Sequence, residues 1–340
     1  MIIRSKAPLR LGLAGGGTDV SPYSDIYGGA VLNATVSLYA YATIEPRTDN
    51  KIIIRSIDKD STIELPSSEN LEIDGNLDLI KGVYNRVLRD YKLKPLSFTM
   101  TTYVDAPAGS GLGTSSTVVT AVLGAFSEWL KLPLGEYDLA KLAYEIERSD
   151  LGMAGGKQDQ YAATFGGVNF MEFFGNGKVI VNPLRIKDQV LNELSNNIIL
   201  FYTKTSRISS EIIENQQRNV NAGSVKSIKA MHKIRELAVK MKEAILKGNL
   251  DKMGELLNLS WEYKKQMADG ITNGQIDKIY NVAIEAGATG GKISGAGGGG
   301  FMFFYCPGIT RYNVINALEQ FGGQARRYEF TKQGLETWTY

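Results

Sequence analysis

Four glycine-rich stretches of this chain each place a hydroxyl, a carboxylate or an open backbone at a defined offset. The second, Pro107, Ala108, Gly109, Ser110, Gly111, Leu112, Gly113, Thr114, Ser115 and Ser116, carries the most chemistry. It runs into an apolar set, Val118, Val119, Val122, Leu123, Phe126, Trp129 and Leu130, whose spacing predicts a mostly buried helix. Alternate glycines at a helix start bring several N–H groups together where the helix dipole is positive, and the hydroxyls reach a phosphate or a metal ion. A plain N-cap by Thr114 or Ser115 would need one hydroxyl and no glycines. No Gly-Lys pair is followed by Ser or Thr, so this anion loop is not of the Walker type.

The other stretches add carboxylates and close backbone. Glu147 and Asp159 flank a glycine turn containing Gly152, Gly155 and Gly156. Two acids separated by such a turn can converge, one as a Mg²⁺ ligand and one as acceptor of a hydroxyl proton, although acids at helix ends also serve as caps. Gly15, Gly16 and Gly17 leave a strand and deliver Thr18 and Asp19, either to a ligand or as the polar cap of a tight loop. The last stretch, residues 290–300, fits G-x-G-x-x-G at Gly295, Gly297 and Gly300. A dinucleotide fingerprint opens a helix, whereas Phe301, Met302, Phe303, Phe304 and Tyr305 read as a strand, and this context rejects NAD binding. A glycine turn between strands instead permits close packing on a loop or ligand.

Composition narrows the chemistry further. Glycine makes up 37 of 340 residues, above the usual share of about 7%. The net charge of +2 offers no broad basic field for nucleic acid. One cysteine, Cys306, cannot form an internal disulfide, and one histidine, His232, excludes sites built on several histidines. His232 lies in a lysine-rich helical stretch and is expected to be a solvated surface residue. Neither a signal peptide nor a run of about 18 apolar residues is evident, so a cytoplasmic location and no membrane partner are expected.

Elements that would carry these loops follow from periodicity. Strands are expected over 2–5, 29–44, 51–57, 61–65, 97–104, 168–174, 197–202, 288–294, 301–305 and 325–330. Helices are expected over 77–91, 115–130, 135–149, 207–217, 224–247, 249–267, 275–285 and 310–321. A β-rich first half and an α+β second half suggest two domains, 1–185 and 186–340.

In this order the four motifs resemble the GHMP small-molecule kinases, and the resemblance spans residues 4 to about 305. The central family motif, P-x-x-x-G-L-G-[ST]-S, is intact at 107–115. The resemblance implies an α+β fold, with a ribosomal protein S5 domain 2-like N-terminal domain and a ferredoxin-like C-terminal domain. It implies ATP and Mg²⁺ between them, and a small-molecule acceptor. Carried over by motif, the loop from Pro107 to Ser116 would wrap the nucleotide phosphates. Ser115 (with Ser116 as competitor) and Glu147 would hold Mg²⁺, Asp159 would be the base, and Arg10 would stand beside the reacting oxygen. Gly17, Thr18 and Asp19 would face the acceptor, and Gly297 lies in the third motif, which closes over the phosphate loop.

Galactokinases carry Gly-Glu-His-Thr-Asp where this chain has Gly15, Gly16, Gly17, Thr18 and Asp19. The hexose-clasping Glu is gone while Asp19 stays, which points to a sugar other than galactose. The longer strings at 14–23, 28–33 and 155–161 resemble the branch that phosphorylates the anomeric hydroxyl of D-glycero-D-manno-heptose 7-phosphate. L-fucokinase, which shares much of these strings, is the nearest rival, and a non-catalytic nucleotide-binding regulator is a rival of another class. A distal phosphate needs cations, and Lys157 and Arg207 are the candidates. Tyr23 is a further candidate for the acceptor pocket.

Overall fold

The β-branched and aromatic runs of the first third build one large sheet in the computed structural model, which describes residues 1–205 and 209–340. Strand β1 (Ile3–Ala14) is followed by the short helix α1 (Tyr23–Tyr27) and the long strand β2 (Gly29–Pro46). The hairpin β3 (Lys51–Ser56) and β4 (Ser61–Pro66), helix α2 (Asp78–Tyr91), strand β5 (Phe98–Val104) and helix α3 (Thr114–Leu130) come next. Helix α4 (Glu136–Glu145) ends in a π-helical turn, Ile146–Asp150, before α5 (Gln158–Phe165), β6 (Val168–Phe173) and β7 (Val179–Pro183). The remainder contains α6 (Asp188–Asn197), β8 (Ile198–Tyr202), α7 (Ser209–Asn221), α8 (Val225–Leu246), α9 (Asp251–Lys264) and α10 (Gly274–Glu285). It closes with β9 (Gly290–Ile293), β10 (Phe301–Tyr305), α11 (Arg311–Leu318), β11 (Gln324–Arg326) and β12 (Glu336–Thr339).

The first sheet runs β12-β1-β2-β5-β3-β4, with β6 and β7 continuing from the first half of β2. Its pairings are antiparallel except β3 with β5. The second sheet, β11-β8-β10-β9, is wholly antiparallel. Helix α3 packs on β1 and β2, and Val119, Val122, Leu123 and Phe126 are fully buried there. Burying each such side chain contributes about 1.5–3 kcal/mol, and the edge-to-face pair Phe98–Phe126, with ring centroids 5.4 Å apart, locks helix to sheet. This core fixes the N-terminus of α3 and hence the loop that precedes it. Among the described residues, no helix is long and apolar enough to cross a membrane.

The mixed α+β architecture is the expected one, and several elements differ from the sequence reading. Strand β1 continues to Ala14 because its later residues are buried on both faces, which erases the alternation that marks a half-exposed strand. Strand β12 is short and largely exposed, so little pattern announces it; its partner β1 creates it, with Ile3 opposite Thr339. The strand expected over 325–330 is limited to β11, although Phe330 bridges to Val36. The proposed division at 185/186 falls between β7 and α6, while β12 lies in the first sheet.

Candidate active site

The anion loop lies between β5 and α3, and Gly109, Gly111 and Gly113 take φ values of +71°, +81° and +80°. Side chains rarely adopt that region, so glycine is required for the loop to make these turns. The fourth glycine stretch packs directly on it: a Cβ on Gly295 would lie 2.7 Å from Gly111 Cα, and one on Gly300 would lie 2.4 Å from the Ser110 carbonyl oxygen. The Phe301 N–H donates to the Ser110 carbonyl at 2.8 Å, and Ser294 Oγ donates to that of Gly111 at 2.8 Å. Gly297, with φ +131°, instead abuts Ile271, so its role here is to let the turn pack.

Arg10, on β1, ties this loop to Asp159. Its Nε and Nη2 each lie 2.6 Å from Asp159 Oδ1, and Nη1 donates to the Gly111 carbonyl at 2.8 Å. Arg10 is 4% exposed, so the pair is held largely out of solvent. Asp159 Oδ2 faces Gly113, where an added Cβ would stand 3.3 Å away. Asp159 stands in the first turn of α5, and Asp19 anchors that turn. Asp19 Oδ2 accepts from the N–H groups of Lys157 and Gln158 at 3.0 Å each; Oδ1 accepts from the Gly17 N–H and Gln158 Nε2 at 3.1 Å each. Burial pushes the Asp19 carboxyl up, while these backbone donors oppose the shift. Gly156 is needed beside it, because a Cβ there would lie 1.9 Å from Asp19 Oδ2. Thus Asp19, read from the sequence as an acceptor-facing residue, has both oxygens engaged by the protein. Thr18 likewise donates to the carbonyls of Gly15 and Ala30 and is buried.

Glu147 sits on the π-helical turn, and Gln160 Nε2 donates both to Glu147 Oε2 and to Ser116 Oγ, the latter at 3.0 Å. Glu147 Oε1 is buried without a hydrogen-bond donor; the nearest guanidinium nitrogen, of Arg148, stands 3.7 Å away. Burial pushes this carboxyl up, opposed by Arg148 and by hydrogen bonds from Ser116 and Gln160. Ser115 is exposed and Ser116 buried, and both line the same cavity as Glu147. One buried carboxylate with a spare oxygen beside two hydroxyls suits a hard divalent cation that keeps other ligands from water and phosphate. Among the described residues no group of three or more His, Cys, Asp or Glu is gathered for a metal.

Three cavities meet here. A loop cavity of about 560 Å³ contains the phosphate-loop glycines, Ser115, Ser116, Glu147 and Asp159. A smaller one of about 80 Å³ shares Arg10, Gly156, Asp159 and Gly295 with it and adds Lys264 and Lys292. An apolar cavity of about 360 Å³, walled by Ile73, Leu77, Ile80, Val104 and Val118, adjoins Thr114 and Ser115. The sequence reading missed Gln160, Ser294 and the two lysines. Gln160 had a local signal, as the neighbour of Asp159. The lysines come from α9 and β9, more than a hundred residues from Asp159, and spacing carries no trace of that approach.

Other candidates lie elsewhere. Lys157 Nζ points to Asp25 at 3.1 Å and over the Tyr144 ring, and it lines neither the loop cavity nor the lysine cavity. Tyr23 is fully buried in the second core cluster, with its hydroxyl 2.7 Å from His232 Nδ1. His232 is correspondingly half-buried, against the expectation of a solvated residue, because Tyr23 and Tyr27 pack around its ring. Arg207 lies outside the described residues.

Comparison with known proteins supplies the family. The profile of the GHMP kinases N terminal domain matches residues 78–167, and that of the GHMP kinases C terminal region matches 241–324. D-glycero-alpha-D-manno-heptose 7-phosphate kinase of Campylobacter jejuni is 51% identical, over 99% of this chain and 98% of that protein. The crystal structure of a D-glycero-D-manno-heptose 1-phosphate kinase from Bacteroides thetaiotaomicron superposes with a TM-score of 0.86 at 48% identity, covering 99% of each chain. Lactococcus lactis galactokinase, 21% identical with a TM-score of 0.78 over 98% of this chain and 95% of its own, shares the fold. With both family regions matched and a half-identical relative along its length, this chain belongs to the GHMP kinases.

Proposed function

We propose that the chain transfers the γ-phosphoryl group of ATP to the anomeric hydroxyl of D-glycero-D-manno-heptose 7-phosphate, giving the 1,7-bisphosphate. The observation that carries the reading is the Arg10–Asp159 pair, fixed at 2.6 Å where the loop cavity meets the lysine cavity. The half-identical heptose 7-phosphate kinase supports the choice of sugar.

In this reading the inward amides of Gly109 to Ser116 bind the nucleotide phosphates, and the apolar cavity beside Thr114 accepts the base. Arg10 occupies Asp159 Oδ1, which leaves Oδ2 to accept the proton of the anomeric hydroxyl. The sugar oxygen forms its bond to the γ-phosphorus as the bond to the β,γ-bridging oxygen breaks, and ADP leaves with that oxygen. Because the transition state is loose and highly charged, positioning and charge neutralisation dominate its stabilisation. Arg10 would neutralise charge between donor and acceptor. Glu147, with Ser115 and Ser116, would hold Mg²⁺, which when bound neutralises phosphate charge. Asp19 acts by holding the first turn of α5, and so the position of Asp159.

The test is ATP consumption across heptose 7-phosphate, free heptose, L-fucose, galactose and mannose. Turnover with heptose 7-phosphate, lost in Asp159→Asn and Arg10→Ala, is expected. Turnover with L-fucose and none with heptose 7-phosphate would replace the reading by its nearest rival.

A further inference from the structure

The small cavity carries a charge pattern that a neutral acceptor does not explain. Lys264, at the end of α9, is 5% exposed, and Lys292, on β9, is 2% exposed. Buried lysines in proteins are ordinarily paired with carboxylates or extend their amines to water. Here Lys264 Nζ donates to the Gly295 carbonyl, Lys292 Nζ lies 5.7 Å from the Phe303 ring centroid, and neither forms an ion pair among the described residues. The charged groups facing them are Arg10, Asp19 and Asp159. Asp159 is already matched by Arg10, and Asp19 already takes four N–H donors. Burial, with repulsion from neighbouring cations, pushes Lys264 down to about 8 and pushes Lys292 down as well.

We propose that Lys264 and Lys292 bind the phosphate dianion of the acceptor, so that this cavity selects a phosphorylated sugar over a neutral one; the assignment rests on the kinase reading above. Three cations face two carboxylates in this cavity, and an incoming dianion brings the lysines the direct ion pair that neither makes among the described residues. At about 80 Å³ the cavity is the smallest of the three, and it joins the loop cavity along Arg10, Gly156, Asp159 and Gly295. The rest of the acceptor would extend past Asp159 into the loop cavity. The lysines do not line the loop cavity, which contains Gly109, Gly113 and Glu147; Arg10 alone of the three cations faces both spaces. That division gives the phosphoryl group in transfer to Arg10 and the acceptor's own phosphate to the lysines. Lys157, one of the two residues the sequence suggested for this task, is committed to Asp25.

Kinetics and calorimetry of Lys264→Met, Lys264→Arg and Lys292→Met test this. Lys264→Met should raise KM for heptose 7-phosphate roughly 10- to 100-fold, the scale of one hydrogen bond to a charged group. Its kcat/KM for unphosphorylated heptose should move by less than about threefold, and Lys264→Arg should restore part of the loss. Wild type should take up protons when heptose 7-phosphate or inorganic phosphate binds at pH 8.5, measured in buffers of different ionisation enthalpy, and Lys264→Met should not. Without ligand, Lys264→Met should melt at or above the wild-type temperature, because a lone buried charge has gone.

A lower melting temperature would make Lys264 a structural residue and overturn the proposal. Equal loss of kcat on both acceptors with KM unchanged would move the lysines to the phosphoryl in transfer and overturn it too. Should wild type phosphorylate neither heptose, the function reading fails by itself. Proton uptake with inorganic phosphate then decides the subsite: uptake that Lys264→Met abolishes supports it, and absence of binding overturns it.

Discussion

The two sides of the candidate site are built differently. On the loop side, the backbone turns at Gly109, Gly111 and Gly113, where the proposed function places the nucleotide phosphates. On the lysine side, long side chains from α9 and β9 reach into a small space. Backbone amides are fixed partial charges that need no countercharge, so the loop can be preorganised without ligand. Buried lysine amines carry a full charge whenever they are protonated, and that charge is costly in the empty site until an anion arrives. The loop is thus built for geometry, and the lysine cavity for discrimination by charge.

The sharpest break in this contrast is at the carboxylate both cavities share. Asp159→Asn should lower kcat by about 10²- to 10⁴-fold, the range for a general base, and also lower the melting temperature, because it leaves the buried Arg10 without its carboxylate; near wild-type turnover in steady-state assays would remove Asp159 from the chemistry.

Next comes the backbone of the loop. Gly111→Ala adds a Cβ 2.5 Å from the Ser294 carbonyl oxygen at a φ of +81°. Left-handed backbone alone costs a side chain roughly 1–2 kcal/mol, and the clash must also push two motifs apart. Mg-ATP affinity, read by thermal protection, should fall at least about tenfold. The control is Gly177→Ala, with φ +75° but open space around its Cβ; it should lose stability and keep nucleotide affinity.

Gln160→Ala should release the Glu147 carboxylate and the Ser116 hydroxyl together. The Mg²⁺ concentration for half-maximal activity should rise roughly 10- to 100-fold, as for residues that orient metal ligands. An unchanged Mg²⁺ titration would dissociate Glu147 from the metal.

The lysine side can be probed through pH. Lys264 is held near 8 in the folded protein against 10.5 ordinarily. Between those values the unfolded chain binds more protons, so this group makes the ligand-free protein more stable as pH rises from about 8 to about 10.5. Its penalty is full below that window, a few kcal/mol at about 1.4 kcal/mol per unit. Denaturant unfolding should therefore find Lys264→Met more stable than wild type at pH 7, with the gap closing towards pH 10; a gap independent of pH would sink this assignment. The smallest effect is expected at Lys157, whose Asp25 partner is 38% exposed. Lys157→Ala should cost at most about 1 kcal/mol of stability and change KM for the sugar phosphate by less than about threefold.

Much of the loop side was legible in the sequence. Gly109, Gly111 and Gly113 announce themselves because left-handed backbone and close approach can be met by glycine and by little else. The helix behind them was legible from its apolar spacing. Asp19 was legible in part: it lines the small cavity, as its residue type and position suggested, but the amides of Lys157 and Gln158, 138 and 139 residues away, also bond its oxygens. Strand β12 was not legible because its pairing partner, not its own residues, makes it a strand.

The sequence by itself determined the glycine loop before α3, the pair of acids and the α+β succession, since each is written in local residue type and spacing. Only the tertiary structure decided which lysines line a cavity with Asp159. Lysine carries no periodic signature, and the meaning of Lys157, Lys264 and Lys292 depends on which carboxylates lie beside them after folding. Lys157 finds Asp25, while Lys264 and Lys292 find a cavity and each other. Charge chemistry at a site is set by countercharges brought together across the fold.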